Sequence, residues 1–236
     1  MLLEHCERIL EDYKRLEYEM HLLHNEYTGG LKLGASTTIA QYVLPPLLAS
    51  FIGKFPQVSL SLLNGNSREI EAALQEHRID LGFVEGVFRL PNIRYTTFLE
   101  DELVAVVRTG SKLAVGEEIT PDELFHLPLV LRERGSGTLD VFERALQQHN
   151  IKLSSLQVLM YLGSTESIKL FLEHTDCLGI VSVRSITREL YSGQLRVVEI
   201  KGMPMLRDFS FAQPQGQESG LAQVFMQFAM HNNHKL

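Results

Sequence analysis

The sequence predicts an α/β protein: one long N-terminal helix, then two units of alternating strand and helix joined by two crossings of the chain. Three observations predict it. Apolar residues repeat every seven positions over residues 1–27. From residue 31 onward, apolar runs of strand length alternate with segments of helical periodicity, the pattern of a parallel sheet with crossover helices. Three of those strands run straight into small hydroxyl residues that open a helix. These are Ser36, Thr37 and Thr38 after residues 31–35, Ser136 and Thr138 after 127–131, and Ser164 and Thr165 after 158–162.

The N-terminal repeat puts Leu2, Ile9, Leu16 and Leu23 on one line and Cys6, Tyr13, Met20 and Tyr27 on another. The steps alternate four and three, which makes an a/d seam, with charged residues between. A seam this narrow suits another chain better than the protein's own body. Leu2, Cys6, Ile9, Tyr13, Leu16, Met20 and Leu23 are therefore the expected oligomerisation residues, and packing on the protein's own body is the alternative. Thr28, Gly29 and Gly30 end the helix and give a flexible joint.

In the first unit, residues 31–35 read as a strand and 37–54 as an apolar helix bent at Pro45 and Pro46. Residues 58–63 are a strand, Asn64, Gly65 and Asn66 a turn. Ser67 caps a helix through His77 with Ile70, Ala73 and Leu74 inward, and 79–84 is the next strand. Residues 99–108 read as a strand leaving this unit. Thr120, Pro121, Asp122 and Glu123 form a capping box with proline at the first helical position. In the second unit the strands are 127–131, 158–162, 178–183 and 195–200. Helices over 138–149 and 164–174, and a short one ending near Tyr191, alternate with them. A strand at 209–212 and a helix at 220–231, with Leu221, Val224, Phe225 and Phe228 on one face, return to the first unit. The expected domains are thus 1–28, then 29–101 with 208–236, then 102–207.

The 236 residues suit two small domains, and 44% apolar with 22% charged residues is ordinary for a globular protein. No apolar run approaches the roughly 20 residues of a membrane helix. The start has neither a basic segment nor a long apolar one, so it does not read as a secretory signal. Cys6 and Cys177 make no disulfide framework, and a reducing cytoplasm is expected. A net charge of −7 argues against extensive phosphate contact by this chain.

The carboxyl ends of strands in an open α/β sheet are where ligands bind, and helix N-termini there offer free N–H groups and partial positive charge. Each hydroxyl taken singly is also an ordinary N-cap. The set of three points to a small-molecule receptor. The segment Arg132, Glu133, Arg134, Gly135, Ser136, Gly137, Thr138 is the most informative. Its glycines admit close approach, its successive N–H groups suit an anion, and an arginine can fork onto an oxyanion. Glu133 offers to neutralise one arginine, and a plain Gly-Ser turn with solvated arginines is the other reading. Nucleophile-elbow, phosphate-loop and dinucleotide-loop motifs are absent from the sequence. His21 and His24 are too few for a metal, and Cys177 in its apolar stretch reads as buried and inert. No metal, cofactor or catalytic residue is expected.

The stretches LKLGASTTIAQYVLPPLLASFIGKFPQVSLSLLNGNSREIEAALQEHRIDLGFVEG (31–86), LPLVLRERGSGTLDVFERAL (127–146) and GSTESIKLFLEHTDCLGIVS (163–182) resemble the effector-binding half of LysR-type transcriptional regulators. MLLEHCERILEDYKRLEYEM at the start is similar to the family's linker helix. The resemblance implies two Rossmann-like lobes of the type II periplasmic-binding-protein kind, joined by two crossing strands, with an inducer cleft between them. It also implies homodimers or homotetramers. Carried onto this sequence, the cleft positions are Ser36, Thr37 and Thr38, then Asn64 and Asn66, then Arg132, Gly135, Ser136, Gly137 and Thr138, then Ser164 and Thr165. No winged helix-turn-helix segment precedes Met1, so the resemblance implies a regulator without its DNA reader, reaching DNA only through that domain.

The expected function is therefore effector sensing and oligomerisation in a bacterial transcription regulator, without catalysis or membrane contact. The density of hydroxyl and N–H donors, with arginines beside them, favours a small-molecule or inorganic anion as effector. The alternative is a solute-binding protein of a transporter, against which the absent secretion signal and the seven-residue seam both count.

Overall fold

The computed structural model describes residues 27–113, 116–216 and 220–232. The seam residues Leu2, Cys6, Ile9, Tyr13, Leu16, Met20 and Leu23 lie outside them. In chain order the elements are β1 (Gly29–Ser36), α1 (Thr37–Tyr42), α2 (Leu44–Lys54), β2 (Val58–Gly65), α3 (Ser67–Gln75), β3 (Leu81–Glu85) and β4 (Ile93–Arg108). Then come β5 (Glu118–Ile119), β6 (Leu129–Arg132), α4 (Gly137–Gln148), β7 (Val158–Leu162), α5 (Thr165–His174), β8 (Leu178–Ser182), α6 (Thr187–Tyr191), β9 (Leu195–Ile200), β10 (Met205–Pro214) and α7 (Gly220–Asn232).

The strands form a mixed sheet in the order β2-β1-β3-β10-β4-β8-β6-β7. Parallel triplets flank the two long central strands: β2, β1 and β3 on one side, β8, β6 and β7 on the other. β4 and β10 run antiparallel to each other from Ile93↔Pro214 to Leu103↔Met205. They are the two crossings of the chain, and they separate two groups of buried side chains. In the first group α7 lies on α2, where the Phe51 and Phe225 rings are 4.8 Å apart, with Phe83, Phe98 and Phe211 beneath. In the second, Phe142 and Leu146 of α4 pack with Leu129, Ile180 and Val198 of the sheet. Each buried phenylalanine is worth about 3–5 kcal/mol against truncation to alanine. β3 and β8 are buried at every position, as strands covered on both faces must be.

Several elements differ from the sequence expectation. The helix expected to be capped by Ser67 and to run through His77 is capped by Asn66 and ends at Gln75. The helix expected over 37–54 is two helices broken at Val43, because Pro45 and Pro46 supply no N–H and so open a new helix. β4 begins at Ile93, six residues before the expected strand start, and β10 is longer at both ends than 209–212. Pairing between these two strands holds the extra residues, whose own sequence lacks apolar alternation. The capping box at Thr120 opens a short 3-10 turn, with Glu123 Oε2 accepting from the Thr120 N–H at 2.7 Å.

Candidate functional site

β1, β2, β6 and β7 all end at one region, and each is followed within a few residues by a helix. Three of the helix starts are capped. Asn66 Oδ1 accepts from the Glu69 N–H at 3.0 Å, Ser136 Oγ from Leu139 at 3.4 Å, and Ser164 Oγ from Ser167 at 3.1 Å. Ser36 is different. It makes no cap bond, it is 1% exposed, and its hydroxyl meets no hydrogen-bond partner among the described residues.

Arg132, the last residue of β6, organises this region. Its side chain is only 1% exposed. Nη2 donates to Thr37 Oγ1 and to the Gly163 carbonyl, each at 3.3 Å, and Nη1 to Thr165 Oγ1 at 3.4 Å. Thr37 in turn donates to the Gly65 carbonyl at 3.2 Å. One guanidinium thereby ties the ends of β1 and β2 to those of β6 and β7. Its remaining edge, Nε and Nη2, is forked onto the Glu133 carboxylate at 2.8 and 3.1 Å. Its partners Thr37, Glu133 and Gly163 stand between it and an open depression of about 330 Å³, which they line together with Gln41, Asn64, Asn66 and Ser164.

A second cluster lies deeper, at the crossings. Glu85 Oε1, at the end of β3, accepts from Thr38 at 3.2 Å and Thr138 at 3.4 Å, and pairs with Arg207 Nη1 at 3.1 Å. Arg207 Nε donates to Asp101 Oδ2 at 2.7 Å, and Ser182 Oγ to Asp101 Oδ1 at 2.6 Å. Arg207 Nη1 also donates to Thr138 Oγ1 at 3.0 Å. The hydroxyls of Thr38 and Thr138 are thus bound to a buried carboxylate, while Thr37, Asn64, Asn66 and Ser164 line the depression. Around this cluster the backbones touch: a methyl at Gly137 would collide with the Glu85 carbonyl, and Arg68 N–H donates to the Gly135 carbonyl at 3.3 Å.

A third link joins α1 to α5. The Tyr42 hydroxyl donates to Glu166, and Lys169 Nζ donates to Glu166 and Glu189 at 2.7 Å each. Burial pushes the Glu166 carboxyl up, but hydrogen bonds from Lys169 and Tyr42 outweigh it and hold the group below the usual carboxylate range. Burial and the same carboxylate push the Tyr42 hydroxyl up. Sequence reasoning did not single out Glu85, Asp101, Arg207, Tyr42, Glu166 or Lys169. The one local trace is charge at inward strand positions: Glu85 closes a fully buried strand, and Arg207 shares a face with Met205 and Phe209. Among the described residues no group of His, Cys, Asp and Glu could hold a metal ion.

Residues 24–233 match the family described as the LysR substrate binding domain. The chain is 35% identical over 182 residues to the uncharacterized HTH-type transcriptional regulator YeiE of Escherichia coli strain K12, covering 77% of this chain and 61% of that protein. It is 25% identical over 211 residues to the HTH-type transcriptional regulator CysL of Bacillus subtilis, covering 89% of this chain and 70% of that one. Among solved structures it is similar to the regulatory domain of CcmR from Synechocystis PCC6803 in complex with 2-PG. There the TM-score is 0.78 with 28% identity, over 86% of this chain and 97% of that one. The effector binding domain of QuiR in complex with shikimate has the same fold, with a TM-score of 0.78 at 19% identity over 89% of this chain and 99% of that one. The chain spans about three fifths of the length of YeiE.

Proposed function

Since the chain belongs to the LysR substrate binding domain family, we propose that it is the effector-sensing and oligomerising part of a bacterial LysR-type transcriptional regulator. The effector is a small anion bound in the depression in front of Arg132, between a lobe of residues 29–101 with 208–236 and a lobe of 102–207. The observation that carries this reading is the fork of Arg132 onto Glu133. A buried guanidinium already holding a carboxylate has the geometry an oxyanion needs, and a ligand anion enters by displacing Glu133. Asn64, Asn66, Thr37 and Ser164 then supply hydrogen bonds from the wall. Ser36 leaves an unused hydroxyl nearby, and Thr38, Ser136, Gly137, Thr138 and Thr165 hold the site together from behind.

An anion at Arg132 touches groups from both lobes, so it biases their relative angle, and oligomer contacts pass that bias on. Self-association, as a homodimer or homotetramer, has support beyond the N-terminal seam. The edge strands expose Leu62 and Leu63 on β2 and Leu159, Met160 and Tyr161 on β7. DNA contact belongs to a winged helix-turn-helix domain outside this sequence, and the setting is the cytoplasm. The alternative reading as a transporter's solute-binding protein has no observation in its favour.

A thermal-shift screen of inorganic oxyanions and short carboxylates tests the anion reading, since a ligand stabilises by mass action. The screen is repeated on Glu133→Gln, which removes the internal competitor. The oxyanion that raises the melting temperature of the native chain should do so at several-fold lower concentration in the variant. Stabilisation by a neutral aromatic alone, or an unchanged concentration dependence in Glu133→Gln, overturns it.

A further inference from the structure

Arg68 and Glu71 of α3, Phe88 and Leu90 of the loop after β3, and Asp140 of α4 line a second depression of about 360 Å³. It shares no lining residue with the depression in front of Arg132. Its carboxylates are under-compensated. Asp140 is 8% exposed, and its side chain accepts no hydrogen bond from the described residues. Glu71 is 7% exposed, with one oxygen taking the Tyr95 hydroxyl at 2.6 Å. Glu85, which also lines the depression, has a buried Oε2 without a hydrogen-bond partner among the described residues, although Arg207 answers its charge. Arg68 is the cation lining the space, and its guanidinium lies over the Phe88 ring, 5.7 Å from the centroid. Arg89, stacked over Tyr95 at 4.4 Å, faces Glu71.

A buried carboxylate without donors costs free energy until a cation or a donor reaches it. Among the described residues no group of three or more His, Cys, Asp and Glu side chains is placed to hold a metal ion. What the space lacks is a compact positive group with several N–H donors, which is a primary ammonium. Phe88 is 61% exposed at the rim and offers a ring face to such a cation or to the hydrocarbon attached to it.

We propose that this depression is a second ligand site, taking the protonated amino group of a small amine or amino acid between Asp140 and Glu71. The two carboxylates come from α3 and α4, on opposite sides of the chain crossings, so an ammonium held between them draws those helices together. Burial pushes both carboxyl groups above their usual range and outweighs the opposing pull of Arg68 on each and of Tyr95 and Arg89 on Glu71. The proposal does not depend on what binds in front of Arg132.

Calorimetric titration of the full chain with butylamine, norvaline and butan-1-ol, each to 10 mM, tests it. Butylamine or norvaline should bind and butan-1-ol should not. Tighter norvaline identifies an amino acid, with Arg68 on its carboxylate; tighter butylamine identifies a simple amine. Asp140→Asn should weaken the ammonium at least tenfold, and its melting temperature without ligand should be no lower than that of the native chain. Phe88→Ala, at an exposed position that does not threaten folding, should weaken it several-fold. No heat from either ammonium compound, equal binding by butan-1-ol, or unchanged affinity in both variants overturns the proposal. So does saturation by millimolar magnesium or calcium that is lost in Asp140→Asn, which would mark a metal site.

Discussion

Glu85 and Arg207 form an ion pair at 3.1 Å with both side chains withdrawn from solvent, at the point where the two long strands cross between the halves of the sheet. Asp101 completes the group from the neighbouring crossing strand at 2.7 Å. Thr38 and Thr138 donate to Glu85 from helices on either side. A buried pair of this kind adds little net stability over an apolar equivalent, but it is costly to break by one member. It therefore fixes the register of β4, β10 and both helix starts together.

Replacing Arg207 with methionine leaves Glu85 and Asp101 buried without their cation. The expected cost is about 3–5 kcal/mol, which lowers the melting temperature by roughly 6–20 °C for a chain of this size. Scanning calorimetry at neutral pH measures it. A loss of less than 1 kcal/mol would show that water or a backbone shift replaces the guanidinium.

The contrast between Arg132 and Arg207 shows what was legible in the sequence. Arg132 sits in a run of glycines and hydroxyls right after an apolar strand, so local spacing alone places it at a strand end. Ser36, Ser136 and Ser164 are legible for the same reason, as helix starts, whereas the cap expected at Ser67 falls one residue earlier, on Asn66. Glu85, Asp101 and Arg207 are far apart in the chain and meet only through the register of β4 with β10 and of β10 with β3. No local pattern encodes that register. The early part of β4 is hard to read for a like reason: Thr96 and Thr97 interrupt the apolar alternation, and the pairing with β10 that holds residues 93–98 is not local.

Gly137 and Gly86 let the start of α4 approach β3 more closely than any side chain allows. Gly86 has a φ of +112°, and its own Cβ would lie 3.0 Å from the Gly137 Cα. Gly137→Ala drives a methyl into the Glu85 carbonyl, and overpacking of this kind costs about 1–3 kcal/mol or more. Chemical denaturation should show that loss with little change in slope, because the core groups themselves are untouched. An alanine variant as stable as the native chain would mean that α4 slides freely along β3.

Asp140→Asn should raise stability at neutral pH. The folded carboxyl titrates above its unfolded value, so its favourable contribution is complete only below the unfolded value and is lost as pH rises through the folded one. At pH 7 the native chain therefore carries a penalty that asparagine lacks. The difference in melting temperature should shrink on acidification and close only about one pH unit below the unfolded aspartate value of roughly 3.9, where the group is neutral in both states. A difference that grows on acidification would mean that Asp140 is paired in the folded protein.

Burial, with the neighbouring Asp176 carboxylate adding to it, pushes the Cys177 thiol up to about 11. Hardly any thiolate is present at pH 8, and the side chain is fully enclosed. Iodoacetamide should label the Cys177 peptide in the native chain about a hundredfold or more slowly than in urea, as read by mass spectrometry. Labelling at comparable rates would show that β8 opens readily.

The hydroxyl and amide groups at the strand ends divide into those facing the depression and those facing Glu85, and two variants separate them. Asn64 is exposed on the wall, and its side chain has no hydrogen-bond partner among the described residues. Asn64→Ala should leave the melting temperature of the empty chain within a degree or so, since surface changes of this kind are usually within about 0.5 kcal/mol. It should weaken the stabilising anion several-fold. Thr138→Val keeps the volume and removes one donor from Glu85 and one acceptor from Arg207. It should cost about 1–3 kcal/mol of stability while leaving anion affinity within about twofold, as an effect of less than roughly 0.4 kcal/mol. Calorimetric titration and thermal melts on the same two samples give both readouts. If Thr138→Val loses the anion while Asn64→Ala keeps it, the ligand sits against Glu85 and Arg207, and the depression in front of Arg132 is not its site.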